Sequence, residues 1–97
     1  MLDQIKQLME VKKQAEQIKK ELDAMMLEVT EIDGIRIIIN GSQKFQYLEI
    51  APKLLTPENK KRVETDLLNG MNAAIKKSQE LVADKMKKVT GLNIPGI

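Results

Sequence analysis

The 97-residue sequence has no cysteine, no histidine and no tryptophan, and only one phenylalanine and one tyrosine. Without thiols or imidazoles it has no disulfides, thiolate nucleophiles, imidazole bases or Cys/His zinc sites. Most common enzyme chemistries go with them, so the expectation is a protein that is not an enzyme and carries no metal or cofactor. No G-x-G-x-x-G or P-loop string occurs, and Asn40-Gly41-Ser42 leads into a strand pattern rather than a helix. No D-x-D-x-D-G loop gathers carboxylates, and Glu28, Glu31 and Asp33 read as a solvated edge. A small-molecule substrate is not expected. No apolar run approaches the ~20 residues needed to cross a bilayer, which speaks against a membrane partner. The start, Met1-Leu2-Asp3-Gln4-Ile5-Lys6, is too polar for a signal-peptide core, and the expected location is cytoplasmic.

Hydrophobic residues make up 42% of the chain and charged residues 31%, the balance of a globular protein rather than a disordered one. The length fits a single domain, residues 1–97. A chain this short buries only a little over ~60% of the surface it exposes unfolded, which makes a second copy worth expecting. Sixteen Lys and Arg against fourteen Asp and Glu give a formal charge of +2, which permits an anionic partner without demanding one.

The hydrophobic pattern divides the chain into three parts. Residues 1–26 lack Gly and Pro and are rich in helix formers. Met1, Leu8, Val11, Ala15, Ile18, Leu22 and Met25 trace a heptad a/d seam, weakened by polar Gln4 at its second position. From residue 27 the period falls to two. Asp33-Gly34 and Asn40-Gly41 then separate strands at 27–32, 35–39 and 43–50, a three-stranded antiparallel meander. After a connector, Thr56-Pro57-Glu58 reads as an N-cap, a first-turn proline and an acid facing the dipole, opening a helix over 57–89. Gly70 inside that run marks a bend or a close crossing, and residues 90–97 read as a loose tail.

The expected fold class is therefore α+β, in the order α-β-β-β-α. At ~1.5 Å per residue the first helix spans about 38 Å and the last about 50 Å, whereas a six-residue strand reaches only ~20 Å. Much of each helix must overhang the sheet. The overhanging seams are expected to pack on each other as a two-helix projection from a symmetric dimer.

The charges of the first helix are sorted by side. With Met1 at heptad position a, Lys12 and Lys19 fall at e, and Lys6, Lys13 and Lys20 at f. The acids Asp3, Glu10, Glu16 and Asp23 fall at b or c, and Glu21 at g. Five lysines share one side of a helix of zero net charge. From Lys6 to Lys20 they run ~21 Å, long enough for several contacts along duplex DNA, which carries a phosphate charge every ~1.7 Å. The plainer alternative is a solvated helix laced with pairs such as Glu10–Lys13 and Glu16–Lys20, each worth ~0.2–0.5 kcal/mol. A second basic group, Lys76, Lys77, Lys85, Lys87 and Lys88, lies toward the end of the last helix, where cations also complement the dipole. Lys60, Lys61 and Arg62 sit in its first turns, where the dipole opposes them. Phe45 and Tyr47 share a strand parity opposite to Leu48 and Ile50. Paired aromatics on a sheet can stack bases, but more often they anchor an interface, and dimer contact is the expected role.

Several strings in this order resemble the YbaB/EbfC nucleoid-associated proteins. They begin with the Lys/Gln/Met-rich leading helix, Ile37-Ile38-Ile39-Asn40-Gly41 and Leu48-Glu49-Ile50-Ala51-Pro52-Lys53-Leu54-Leu55. Val63-Glu64-Thr65-Asp66-Leu67-Leu68, Met71-Asn72-Ala73-Ala74, Met86, Thr90-Gly91 and Pro95-Gly96 continue the likeness over nearly the whole chain. The chain departs from that pattern at Ala51, where an Asp is usual, at Gly70, and in a shorter leader. The resemblance implies a cytoplasmic, nucleoid-associated, tweezer-like homodimer that binds duplex DNA through helical arms and alters DNA conformation or gene expression. The candidate DNA-binding residues are Lys12, Lys13, Lys19, Lys20, Lys76, Lys77, Lys85, Lys87 and Lys88. The alternative is a protein-interaction module whose arms grip another chain through their apolar seams, without DNA.

Overall fold

The computed structural model describes residues 2–90. Met1 and residues 91–97, which include most of the expected tail, lie outside the described residues. The elements are α1 (Leu2–Ala24), β1 (Met26–Val29), β2 (Ile35–Asn40), β3 (Phe45–Ile50) and α2 (Lys60–Thr90), with 3-10 turns at Pro52–Leu54 and Pro57–Asn59. The expected α-β-β-β-α order and antiparallel meander are present, the sheet running β1-β2-β3.

The boundaries differ from the expected ones for local reasons. Helix α1 stops at Ala24 rather than residue 26. The Met25 N–H closes a tight last turn on the Leu22 carbonyl, and the Gly41 N–H donates to the carbonyls of both Leu22 and Met25. Those bonds take up carbonyls that a helix end leaves without partners. Strand β1 is shorter than 27–32, because residues 30–34 form the turn, where Gly34 adopts a φ of +83° and serves the left-handed step. Strand β3 begins at Phe45 rather than residue 43; the left-handed residue of the second turn is Gln43, with φ 62°. Thr56 is extended and makes no side-chain cap; its carbonyl accepts the Asn59 N–H at 3.0 Å, and the chain enters α2 through a 3-10 turn.

The core lies between one face of the sheet and α2. Val29, Ile35, Ile37, Ile39, Leu54 and Ala74 are buried, with Leu27, Ile32, Ile50, Val63, Leu67 and Ile75 packed around them. Helix α2 runs as one element through Gly70. A Cβ at Gly70 would sit 2.5 Å from Ile32 Cδ1 and 3.0 Å from Ile37 Cδ1, so the glycine marks a close crossing over side chains. About two turns further on, buried Ser78 donates to the Asn40 carbonyl at 2.9 Å.

Helix α2 lies across β1 and β2, and β3 is left largely uncovered. Leu48 pairs with buried Ile37, and partners across an antiparallel ladder share a face, yet Leu48 is 54% exposed. The register also shifts between Ile38 and Ile39, placing Tyr47 opposite Ile38 and Phe45 opposite Ile39. The two aromatics thus face partners on different sides of β2, and the bulge overturns the simple alternation that put them on one face.

The molecule measures 66 × 23 × 16 Å, with a radius of gyration of 18.5 Å, against about 13 Å for a compact chain of this length. Long helices do overhang the sheet. The expected packing of α1 along the end of α2 is limited to its base, because α1 has no buried residue and is exposed from Leu2 through Gln17.

Candidate nucleic-acid interface

Helix α1 is attached to the body at its C-terminal end by polar bonds. The Ser42 hydroxyl donates to Asp23 Oδ1, Asn40 Nδ2 donates to the Asp23 carbonyl at 3.4 Å, and Lys85 pairs with Glu21 at 2.8 Å. Asn40 Oδ1 accepts the N–H groups of Ser42 and Lys44 at 3.0 and 2.9 Å, which holds the β2–β3 turn in shape for these contacts. The remainder of α1 projects into solvent.

On that projection the five lysines at e and f, Lys6, Lys12, Lys13, Lys19 and Lys20, are exposed. Among the described residues none of them closes an ion pair, and neither Glu10–Lys13 nor Glu16–Lys20 forms. The other basic residues divide. Lys77 pairs with Glu31 across to the turn after β1, and Lys85, with a quarter of its side chain exposed, pairs with Glu21. Their ammonium groups already have carboxylate partners. The Lys85 ammonium, and after it the Gln17 amide, hold the Glu21 carboxyl below its ordinary range; Lys77 does the same for Glu31. Lys76, Lys87 and Lys88 are exposed, but Lys76 and Lys87 border an open groove that also contains Glu80 and Asp84. Those acids oppose a polyanion there. In the first turns of α2, Lys60 pairs with Glu64 at 3.1 Å and Arg62 with Asp66 at 3.4 Å, so acids four residues on offset the unfavourable dipole.

The aromatics belong to a separate surface. Phe45 and Tyr47 are 40% and 42% exposed on β3. The Tyr47 hydroxyl donates to Glu49 Oε2 at 2.6 Å, which raises its pKa, and the Arg36 guanidinium stands 5.4 Å from its ring centroid while pairing with Glu28. A ring covered by a cation, its hydroxyl held by the Glu49 carboxylate, is poorly placed to stack a base. Sequence reading missed this Arg36–Glu28–Glu49 cluster, although Arg36 and Glu49 pair across the ladder. Among the described residues no group of three or more His, Cys, Asp or Glu could hold a metal ion, and no helix is long and apolar enough to cross a membrane.

The geometry defines a small α+β body with a long projecting helix that is neutral overall and gathers five exposed lysines on one side. The chain belongs to the YbaB/EbfC DNA-binding family, whose profile matches residues 1–93. It is 33% identical over 95 residues to a nucleoid-associated protein of Clostridium kluyveri, covering 96% of this chain and 83% of that one. A nucleoid-associated protein of Clostridium acetobutylicum is 32% identical over 95 residues, covering 96% and 85%. One from Pelotomaculum thermopropionicum is 29% identical over 99 residues, covering 100% and 94%.

Proposed function

We propose that this protein is a nucleoid-associated DNA-binding protein that works as a homodimer, gripping duplex DNA through phosphate contacts made by its helical arms and altering DNA conformation or gene expression. Membership of a DNA-binding family and the names of its relatives support the nucleoid role. The observation that carries the mechanism is the row of exposed, unpaired lysines on α1. Lys12, Lys13, Lys19 and Lys20 are the principal contacts, with Lys76, Lys87 and Lys88 secondary, while Lys77 and Lys85 serve the fold first. Contacts of this kind release counterions and read few bases.

Titration of unrelated duplexes at several salt concentrations tests it. With roughly six phosphate contacts per dimer, log affinity falls against log salt with a slope of about −5. Charge reversal at Lys12, Lys13, Lys19 and Lys20 weakens all duplexes alike and leaves the protein folded. A slope near zero, or unchanged binding by that variant, overturns the electrostatic grip. Partners captured equally well after nuclease treatment would favour the protein-interaction alternative.

A further inference from the structure

The exposed stretch of α1 carries more apolar surface than phosphate binding requires. Leu8 and Val11, consecutive seam positions, are 70% and 62% exposed, and Leu2, Ile5 and Met9 are exposed with them. We propose that this stretch pairs antiparallel with the same stretch of a second copy, so that α1 tips join separate DNA-bound particles and tether two duplexes.

The register follows from the pattern. Setting Leu8 of one helix against Val11 of the other makes each residue face the one whose number completes 19. Leu2 then meets Gln17, the two ends of the span that is exposed on every side, so the overlap occupies the free helix without driving either body into the other. At ~1.5 Å per residue the overlap is about 24 Å long. Seam layers become Leu8 on Val11, Val11 on Leu8 and, further out, Gln4 on Ala15. In antiparallel helices e residues flank e residues and g residues flank g residues. Here Ile5 lies beside Lys12 of the second copy and Gln7 beside Gln14.

No like charges meet at these flanks, and the Lys12 stem covers Ile5, an apolar side chain outside the a/d seam. A parallel pair leaves Ile5 bare, whereas an antiparallel pair also sets opposite helix dipoles against each other. Lys6, Lys13 and Lys20, at f, point away from the seam and stay free for phosphate. Two Gln4–Ala15 layers, one at each end, and only two apolar layers make the contact weak in isolation. Many arms held along DNA raise the effective concentration at which tips meet. Tethering rests on the DNA-binding reading; the helix pairing does not.

The chain has no cysteine, so single-cysteine variants report the register directly. A mixture of full-length Leu8→Cys and Val11→Cys proteins, oxidised without DNA, should give the mixed disulfide, whereas each variant alone should give little. Sized under native conditions, the linked product should be at least twice the particle formed by the unmodified protein, since each particle carries two tips. Leu8–Leu8 linkage, no linkage, or a linked product no larger than the unmodified particle overturns the proposal. With DNA, unmodified protein should let an immobilised duplex capture a second, labelled duplex. Leu8→Gln, which removes the apolar contact without adding charge to the arm, should lose that capture while binding a single duplex as before; capture retained by Leu8→Gln overturns tethering through this contact.

Discussion

Gly41 shows how much one residue decides in this fold. The sequence marks Asn40-Gly41 as a turn, and a turn is there, but Gln43 takes the left-handed conformation. What requires glycine at 41 is proximity. A Cβ there would lie 2.8 Å from the Leu22 carbonyl oxygen and 3.2 Å from Leu22 Cα, atoms of the α1 backbone that cannot rotate aside. Gly41→Ala therefore has to push α1 off the β2–β3 turn. The expected cost is about 1–3 kcal/mol for the overpacking, only partly offset by the ~0.4–1 kcal/mol that a stiffer unfolded chain returns. Urea unfolding checks it: the midpoint falls with little change in slope. The role of Gly41 could not be read in one dimension, because the surface that fixes it lies far away in the chain; at Gly70 the sequence left a bend and a close crossing open, and the fold selects the crossing. The lysines divide on the same basis. Sequence and family resemblance together put nine of them forward as DNA contacts, and tertiary contacts with Glu21 and Glu31 separate Lys85 and Lys77 from the rest.

At the scale of elements, most of the architecture was legible because it depends on local periodicity. A glycine-free heptad run, a change to period two and two turn dipeptides are sufficient for helix, sheet and direction of pairing. The bulge at Ile38/Ile39 was not legible, since strict alternation carries no sign of the extra residue that turns Phe45 and Tyr47 toward different partners. The attachment of α1 is likewise tertiary, and it makes a prediction about pH. Lys85 holds the folded Glu21 carboxyl below its ordinary value, so the stabilising contribution is fully present above the unfolded value and disappears as pH falls through the folded one. An NMR titration of the Glu21 carboxyl should give a depressed midpoint. In Lys85→Met it should move most of the way back up, with Gln17 accounting for what remains. Over the same acid range the amide protection factors in the last turns of α1 should fall. An identical midpoint in both proteins would mean that this bridge does not hold the arm.

For the whole molecule, the decisive fact is that α2 is too narrow for its sheet. It covers β1 and β2 and leaves Leu48 open on β3, with Phe45 and Tyr47 half exposed on the same strand and Leu68 and Met71 exposed on α2. An edge strand with apolar groups on it invites pairing; a second copy of the chain supplies a closed, symmetric solution. Overhang and dimer were both expected from length alone, but where the cover ends is marked only by Leu48, exposed although it pairs with buried Ile37. If the proposed dimer closes through this face, Leu48→Glu should convert a particle of two 11.0 kDa chains into one chain by analytical ultracentrifugation, whereas Leu8→Glu, out on the arm, should leave the two-chain particle intact. The DNA consequence follows from how arms add. In a dimer the second arm binds at the effective concentration set by the first, so losing it weakens binding by ~10²-fold or more rather than by half. The phosphate contacts fall from roughly six to roughly three, and the salt slope from about −5 to about −2.7. Weaker binding at an unchanged slope would show that one arm alone had carried all the phosphate contacts, and that the second copy contributes something other than charge.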